Sequence, residues 1–234
     1  MNKLKLSTPI PANPREWRPQ TVRSGRYTPE IINPIVEPLW SGTRVLVHYR
    51  DGANEGGSGY VEVIDEYGDD AALDAPQAAE QLRRAVQARD AVIDGVLTKE
   101  ATAGGENTAI GLFPTVNPIR KFFLGGRSQA DVKYEPRGPR REGPPAFVAV
   151  DLLSVDGQTL FDVPLMERKR ILESLIEQSE FVRLSPWARP PVRTWFNTWR
   201  SAGFRGMIMK SSNSHYRPGE ETDEWALVER MPRA

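Results

Sequence analysis

The segment 34-PIVEPLWSGTRVLVHYRDG-52 carries the first side chains that could bind and transform a ligand. Glu37 precedes a glycine turn at Gly42, and Arg44 opens a run in which apolar and polar residues alternate. A carboxylate and a guanidinium at the start of such a strand are typical of a segment that handles a nucleotide. Between them lies Leu39, whose alkyl side chain has no lone pair and cannot act as a nucleophile.

The composition excludes several kinds of chemistry. The 234 residues include no cysteine and two histidines, His48 and His215, which lie far apart in the sequence. Disulfides, thiol catalysis and thiolate zinc sites are therefore excluded, and neither a histidine-based metal site nor a Ser-His-Asp triad is expected. The formal net charge is zero, so any binding to nucleic acid must come from a local patch.

The sequence also bears on the cellular compartment. The first residues, MNKLKLSTPIPANPREW, contain no apolar core of signal-peptide length. No run approaches the roughly 18 apolar residues of a membrane span. Together with the lack of cysteine, these features predict a cytoplasmic protein with no membrane partner, and they leave its oligomeric state open.

Strands and helices must position the polar side chains, and the residue pattern predicts both. Strands are expected over residues 43–49, 60–65, 91–98, 206–210 and 225–229, with a further ordered stretch at 146–157. Helices are expected to start at Asp74, after Pro164 and near residue 191, the last one ending at Gly203. Because these elements do not alternate steadily as βαβ units, the sequence predicts an α+β domain with mainly antiparallel sheets.

The predicted domain spans residues 34–230. Residues 1–33, rich in Pro, Arg and Thr, are interpreted as an N-terminal extended arm that is packed on the domain or partly loose, and residues 231–234 as a tail. Residues 99–145 contain GG, GGR and PRGPRREGPP, which no compact element would tolerate. We expect a long loop insertion there, of the kind that is either functional or disordered.

Six short motifs, read in order over about residues 34–230, resemble those of the adenylation domain of ATP-dependent DNA ligases. This domain belongs to the nucleotidyltransferase superfamily, which includes mRNA capping enzymes. The motifs are EPLWSGTR, VIDEYGDD, AVIDGVLT, AFVAVDLLSVDG, GFRGMIMK and HYRPGEETDEWALVE. The resemblance implies antiparallel sheets flanked by helices. Because the sequence stops just past the last motif, we expect no OB-fold of the kind that active ligases close over ATP and DNA.

In an active member of this family, a lysine two residues after the motif glutamate attacks the α-phosphate of ATP and carries the AMP. Carboxylates hold a divalent metal such as Mg²⁺, and later lysines neutralise the phosphates. Here the matching positions are occupied by Leu39, Ser41, Val96, Arg205, Leu227 and Glu229. Alkyl groups cannot ligate a metal, and a glutamate repels a triphosphate. These departures from the family motifs predict no catalytic residue, no metal site and no bound cofactor.

Among the positions that still fit the family motifs, Glu37, Arg44, Asp94 and Lys210 would belong to the nucleotide pocket, and Asp151 also fits. Glu37, Arg44 and Lys210 could contact a nucleotide, or they could pair with Ser41, with Glu229 or with each other. A structure can also show whether Arg205 and Glu229 fill the nucleotide cavity by pairing across it.

Two further features could form binding surfaces. The loop insertion carries Arg120, Lys121, Arg127, Lys133, Arg137, Arg140 and Arg141 together with three aromatic residues. Such a mixture suits nucleic acid, or else it marks a solvated insertion anchored to the core by its aromatic rings. The cluster Trp187, Trp195, Phe196 and Trp199 forms either a partner surface or, as its helical spacing favours, core packing.

The leading hypothesis from the sequence is a pseudoenzyme, a ligase-like adenylation fold kept as a binding or scaffold module connected with DNA repair. Its partner would be DNA or a DNA-repair protein. Two alternatives stay open: an active DNA ligase or nucleotidyltransferase that uses Lys210 or is completed by another subunit, and a nucleotide sensor that binds ATP without turnover.

Overall fold

The computed structural model describes residues 10–25, 31–52, 59–101 and 143–231. The seven basic residues predicted to form a binding loop, between Arg120 and Arg141, lie outside the described residues, so that expectation stays a prediction. No helix in the described ranges is long and apolar enough to cross a membrane.

The described residues form ten strands and three α-helices. The strands are β1 Thr21–Gly25, β2 Pro34–Pro38, β3 Thr43–Arg50, β4 Tyr60–Asp65, β5 Asp90–Thr98, β6 Ala146–Val155, β7 Gln158–Thr159, β8 Val182–Leu184, β9 Met207–Ser211 and β10 Glu221–Val228. The helices are α1 Pro76–Ala85, α2 Leu165–Leu175 and α3 Val192–Ser201, with short 3₁₀ helices at Pro14–Glu16 and Ala72–Asp74.

Two sheets organise the molecule. Four strands follow the order β1–β10–β9–β2, and a six-stranded sheet runs β4–β3–β5–β6–β7 with β8 added beside β6. The pairs β1–β10 and β6–β8 are parallel and the remaining pairs are antiparallel. The prediction of an α+β domain with mainly antiparallel sheets flanked by helices is confirmed.

Alternation along β3 explains how the six-stranded sheet is buried on both faces. Val45, Val47 and Tyr49 belong to the core cluster that includes buried residues of α1 and α2. Leu46 points to the other face, where it packs with Trp225 of the four-stranded sheet. Successive side chains of a strand point to opposite faces. The residues two positions before and two positions after Leu46 therefore point to the same face as Leu46, into the space between the sheets.

The described part of the N-terminal arm packs on the domain. Trp17 is 4% exposed and lies in the cluster formed with Phe161, Tyr216 and Trp225. The backbone N–H of Gln20 donates to the Tyr216 hydroxyl at 2.9 Å, and β1 then pairs with β10. The arm thereby adds an edge strand to the four-stranded sheet.

Some element boundaries differ from those predicted. Helix α1 starts at Pro76 rather than Asp74, because Ala72–Asp74 forms a separate 3₁₀ turn. Strand β10 starts at Glu221, four residues before the predicted strand, and β1, β2, β7 and β8 were not predicted. The end of α3 is as expected: Gly203 adopts φ +95°, a conformation that glycine adopts readily.

Candidate functional site

A cleft of about 100 Å³ lies where the two sheets face each other. The four-stranded sheet contributes Glu37 from β2, with Ile208 and Lys210 from β9. The lining residues are Glu37, Pro38, Leu39, Trp40, Gly42, Arg44, Val96, Val150, Ile208 and Lys210. Strand alternation explains this set, because Ile208 and Lys210 face the cleft while Met207 and Met209 face the core beneath α3.

Glu37 is buried between two lysines. Its carboxylate lies 2.6 Å from Lys169 Nζ and 3.3 Å from Lys210 Nζ, and all three side chains are almost fully buried. Burial alone would raise the pKa of Glu37, but the two ammonium groups outweigh it and hold that pKa below its ordinary 4.5. Burial lowers the pKa of Lys210, although Glu37 opposes the shift. Lys210 Nζ also lies 4.2 Å from the centre of the Trp225 ring.

Arg44 and Asp94 form a second ion pair at the cleft. Arg44 Nε and Nη2 donate to the two carboxylate oxygens of Asp94 at 2.5 and 2.6 Å. The Tyr216 hydroxyl donates to the same carboxylate at 2.7 Å. Burial and the charge of Asp94 raise the pKa of Tyr216 well above 10.0. The Arg44 guanidinium that faces the cleft is therefore already neutralised.

A third ion pair lies behind the cleft, and sequence analysis did not identify it. Arg168 donates to both oxygens of Asp151 at 2.8 and 2.9 Å, and both side chains are 0% exposed. Arg168 also donates to the backbone oxygens of Ser214 and Val163. Burial lowers the pKa of Arg168, but the Asp151 carboxylate outweighs it and raises that pKa above its ordinary value.

The sequence contained a signal for these buried cations. Arg168 and Lys169 follow Leu165 by three and four positions and precede Leu172 by four and three. This is the spacing of a buried helical face, and all four residues are buried in α2. Reading only the apolar members of the pattern missed them.

The loop that carries Leu39 is held in place on several sides. A Cβ at Gly42 would lie 2.0 Å from the backbone oxygen of Leu97, so the chain passes closely over the end of β5. The Leu39 N–H donates to the Gly206 carbonyl at 3.1 Å. The Ser41 N–H donates at 2.8 Å to Glu100, a 3% exposed carboxylate that sequence analysis also missed.

The altered and retained positions of the family motifs do not all lie at the cleft. Leu39 and Val96 line the cleft together with the retained residues Glu37, Arg44 and Lys210. Leu227 lies on β10 opposite Ile208 and does not line the cleft, and Asp94 lies behind Arg44.

Arg205 and Glu229 do not fill the cavity by pairing across it. Both residues are exposed and neither lines the cleft. They do not pair with each other among the ion pairs of the described side chains. Glu37 and Lys210 do pair with each other.

A family model for the ATP dependent DNA ligase domain matches residues 30–228 of this chain. The chain belongs to the ATP-dependent DNA ligase domain family. The family resemblance predicted from the six motifs is thereby confirmed.

This ligase-family domain has full-length relatives among archaeal proteins. It is 29% identical over 196 residues to DNA ligase 1 of Methanosarcina mazei, a match that covers 81% of this chain and 31% of the relative. It is 25% identical over 204 residues to a DNA ligase of Pyrobaculum calidifontis, covering 86% and 31% respectively. The chain thus spans about a third of the length of these relatives.

Solved structures give the same result for the fold. The ligase-family domain matches a mycobacterial DNA ligase D complexed with ATP and MES at a TM-score of 0.62 and 19% identity, over 93% of this chain and 62% of that one. It matches the ligase domain of M. tuberculosis LigD at a TM-score of 0.60 and 21% identity, over 92% and 60%. Both comparisons show a shared nucleotidyltransferase fold.

Proposed function

We propose that this ligase-family domain does not transfer AMP, and that it acts as a binding or scaffold module connected with DNA repair in the cytoplasm. The observation that supports this most directly is Leu39. It lines the cleft at the position that the family motif gives to the nucleophilic lysine, and a leucine cannot form a phosphoramidate.

The carboxylates around the cleft do not fit a divalent metal. Glu37 is held by Lys169 and Lys210, and the two oxygens of Asp94 are held by Arg44. A hard cation needs oxygen ligands, and the motif position at Val96 offers an alkyl group instead. We therefore propose that no Mg²⁺ is bound here.

The cations of the cleft are likewise committed to internal partners. Arg44 pairs with Asp94, and Lys210 pairs with Glu37, so a triphosphate would have to displace a carboxylate to reach either one. The cleft of about 100 Å³ is also smaller than the roughly 300–1,000 Å³ of typical ligand pockets. Both properties support a site that stabilises the fold instead of binding ATP.

A direct test is to incubate the purified protein with ATP and Mg²⁺ or Mn²⁺ and to measure its intact mass. We expect the mass of the unmodified chain, whereas an active ATP-dependent DNA ligase treated in parallel should gain one AMP. An AMP adduct on this chain would contradict the proposal.

One observation favours a second candidate, an adenylating enzyme with a displaced nucleophile. Lys210 carries the one amine among the described lining residues, and its pKa is lowered by burial, which favours the reactive neutral form. If an adduct forms, peptide mapping that places AMP on Lys210, together with its loss in Lys210→Ala, would establish this candidate.

We predict that Leu39→Lys alone does not restore adenylation. The new amine would face a cleft that lacks the motif glutamate at Val96 and the motif lysines at Leu227 and Glu229. Intact mass spectrometry after incubation with ATP and Mg²⁺ should show no adduct. Leu39→Met, which adds no nucleophile, is the matched control, and an AMP adduct specific to Leu39→Lys would refute the prediction.

A further inference from the structure

The segment from residue 181 to residue 219 contains seven Lys and Arg residues and no Asp or Glu, although the whole chain has 31 acidic residues in 234. Within it, Lys210 is buried against Glu37 and Arg217 pairs with Asp162. Arg189, Arg193, Arg200 and Arg205 are exposed. A protein of zero formal net charge therefore carries a local concentration of exposed guanidinium groups.

Helix α3 carries two of these groups, and the other two flank its ends. Its buried residues, Val192, Phe196 and Trp199, pack on the core. Arg193, Asn197 and Arg200 are exposed and, being four and three positions apart, form a stripe about 100° around the helix from the buried one. Arg189 precedes the helix, and Arg205 follows it.

This stripe is separate from the cleft. The core cluster beneath α3 contains Met207 and Met209 of β9, whereas Ile208 and Lys210 of the same strand face the cleft. Because alternate side chains of a strand point to opposite faces, α3 covers the face of the four-stranded sheet that lies away from the cleft.

We propose that the basic face of α3, defined by Arg189, Arg193, Arg200 and Arg205, binds the phosphate backbone of nucleic acid. Guanidinium groups bind phosphate oxygens through paired N–H donors. Arg193 and Arg200 are seven residues apart in the helix, about 10 Å along its axis, which is about three rises of about 3.4 Å along the axis of a DNA duplex.

The chemistry of the face favours nucleic acid over an acidic protein. The exposed positions of α3 are Arg193, Thr194, Asn197, Thr198, Arg200 and Ser201. They include no apolar or aromatic residue of the kind that anchors protein–protein interfaces, and Trp195 of the same helix is partly buried against the core. Interfaces with DNA are more polar and more positively charged, as this face is.

Three of the four arginines of this face form no ion pair within the part of the chain that the structure describes. Arg189, Arg200 and Arg205 take part in none of the ion pairs between described side chains. Arg200 has a second role, because its Nη1 donates to the carbonyl oxygens of Phe204 and Arg205 at 3.3 and 2.7 Å and so holds the end of α3.

The test measures binding of the full chain to a short fluorescein-labelled DNA duplex by fluorescence anisotropy, without ATP, between about 50 and 200 mM salt. The variant is Arg189→Gln/Arg193→Gln/Arg205→Gln, which spares Arg200 and the helix end. We expect at least a roughly tenfold loss of affinity, and a salt slope that falls by about 0.9 for each phosphate contact removed.

The matched control is Arg50→Gln/Arg84→Gln/Arg89→Gln, which removes the same charge from exposed arginines outside the segment and should bind like wild type. Thermal unfolding shows whether each variant is folded. Wild type that does not bind the duplex, equal losses in the two variants, or equally tight binding of poly-glutamate through the same arginines would overturn the inference. The inference rests on the proposed binding role. The two can be told apart, because an AMP adduct would contradict the proposed lack of AMP transfer and would leave this face untested. The anisotropy assay, in turn, tests DNA binding by this face and not AMP transfer.

Discussion

Replacing Arg168 with leucine should lower the free energy of unfolding by about 3–5 kcal/mol, the usual loss when one partner of a buried ion pair is removed. Arg168 is fully buried, and it binds both carboxylate oxygens of Asp151 as well as two backbone carbonyl oxygens. Leucine would fill part of the space but would leave the carboxylate unpaired inside the protein. Urea denaturation of the two proteins at neutral pH measures the difference.

Arg170→Leu is the matched control on the same helix. Arg170 pairs with Glu167 at 2.7 Å, but its side chain is 77% exposed, so we expect a loss below about 1 kcal/mol. Combining Arg168→Leu with Asp151→Leu should recover part of the stability, because the unpaired charge is removed. Similar losses for Arg168→Leu and Arg170→Leu would show that burial does not set the strength of these pairs.

Glu37→Gln is the second substitution with a large expected effect, again about 3–5 kcal/mol. The carboxylate of Glu37 is the shared partner of Lys169 and Lys210, and all three side chains are buried. The amide of glutamine has the same shape but no charge. The substitution would therefore leave two buried ammonium groups without their common counter-ion, and chemical denaturation would measure the loss.

The loss of unfolding free energy in Glu37→Gln should become smaller as the pH rises. Burial already lowers the pKa of Lys210 below its ordinary 10.5, and removing Glu37 lowers it further. Between that lowered value and 10.5 the unfolded chain binds more protons than the folded one, so the stability of the variant increases with pH relative to wild type. Denaturation at about pH 7 and about pH 9 should show the difference narrowing.

Glu80→Gln provides the control for this effect. Glu80 is also shared by two cations, Arg83 at 2.5 Å and Arg84 at 3.4 Å, but its side chain is 54% exposed. We expect less than about 1 kcal/mol and no narrowing with pH. A pH-independent loss in Glu37→Gln would contradict the further lowering of the Lys210 pKa in the variant.

The sequence predicted the parts of the fold that local patterns specify. Alternation identified β3, and the helical spacing and Gly203 identified α3 and its end. Strands β1, β2 and β8 were missed because they are short and take their stability from partners distant in the sequence. Periodicity within five residues cannot reveal a parallel partner about 200 positions away.

The site was predicted unevenly for a similar reason. Glu37, Arg44 and Lys210 were identified because they occupy family motifs, and the structure brings them into one cleft. Their partners in the ion pairs do not all occupy family motifs, so the motifs could not identify them. Lys169 reaches Glu37 from a helix between two motifs, and the buried Glu100 lies beyond the end of β5. Which charge neutralises which is decided by packing in three dimensions.

The pairing of β1 with β10 has a consequence for synthesis on the ribosome. Gln20 and Tyr216, whose hydrogen bond leads into this pairing, are 196 positions apart. Until residue 228 has left the exit tunnel, β1 has no neighbour and β9 lacks one of its two. The six-stranded sheet can close earlier, since its last strand to be made, β8, ends at Leu184. A nascent chain should thus hold a complete six-stranded sheet while the edge of β9 that later pairs with β10 is still exposed. A chaperone would be needed to protect that edge.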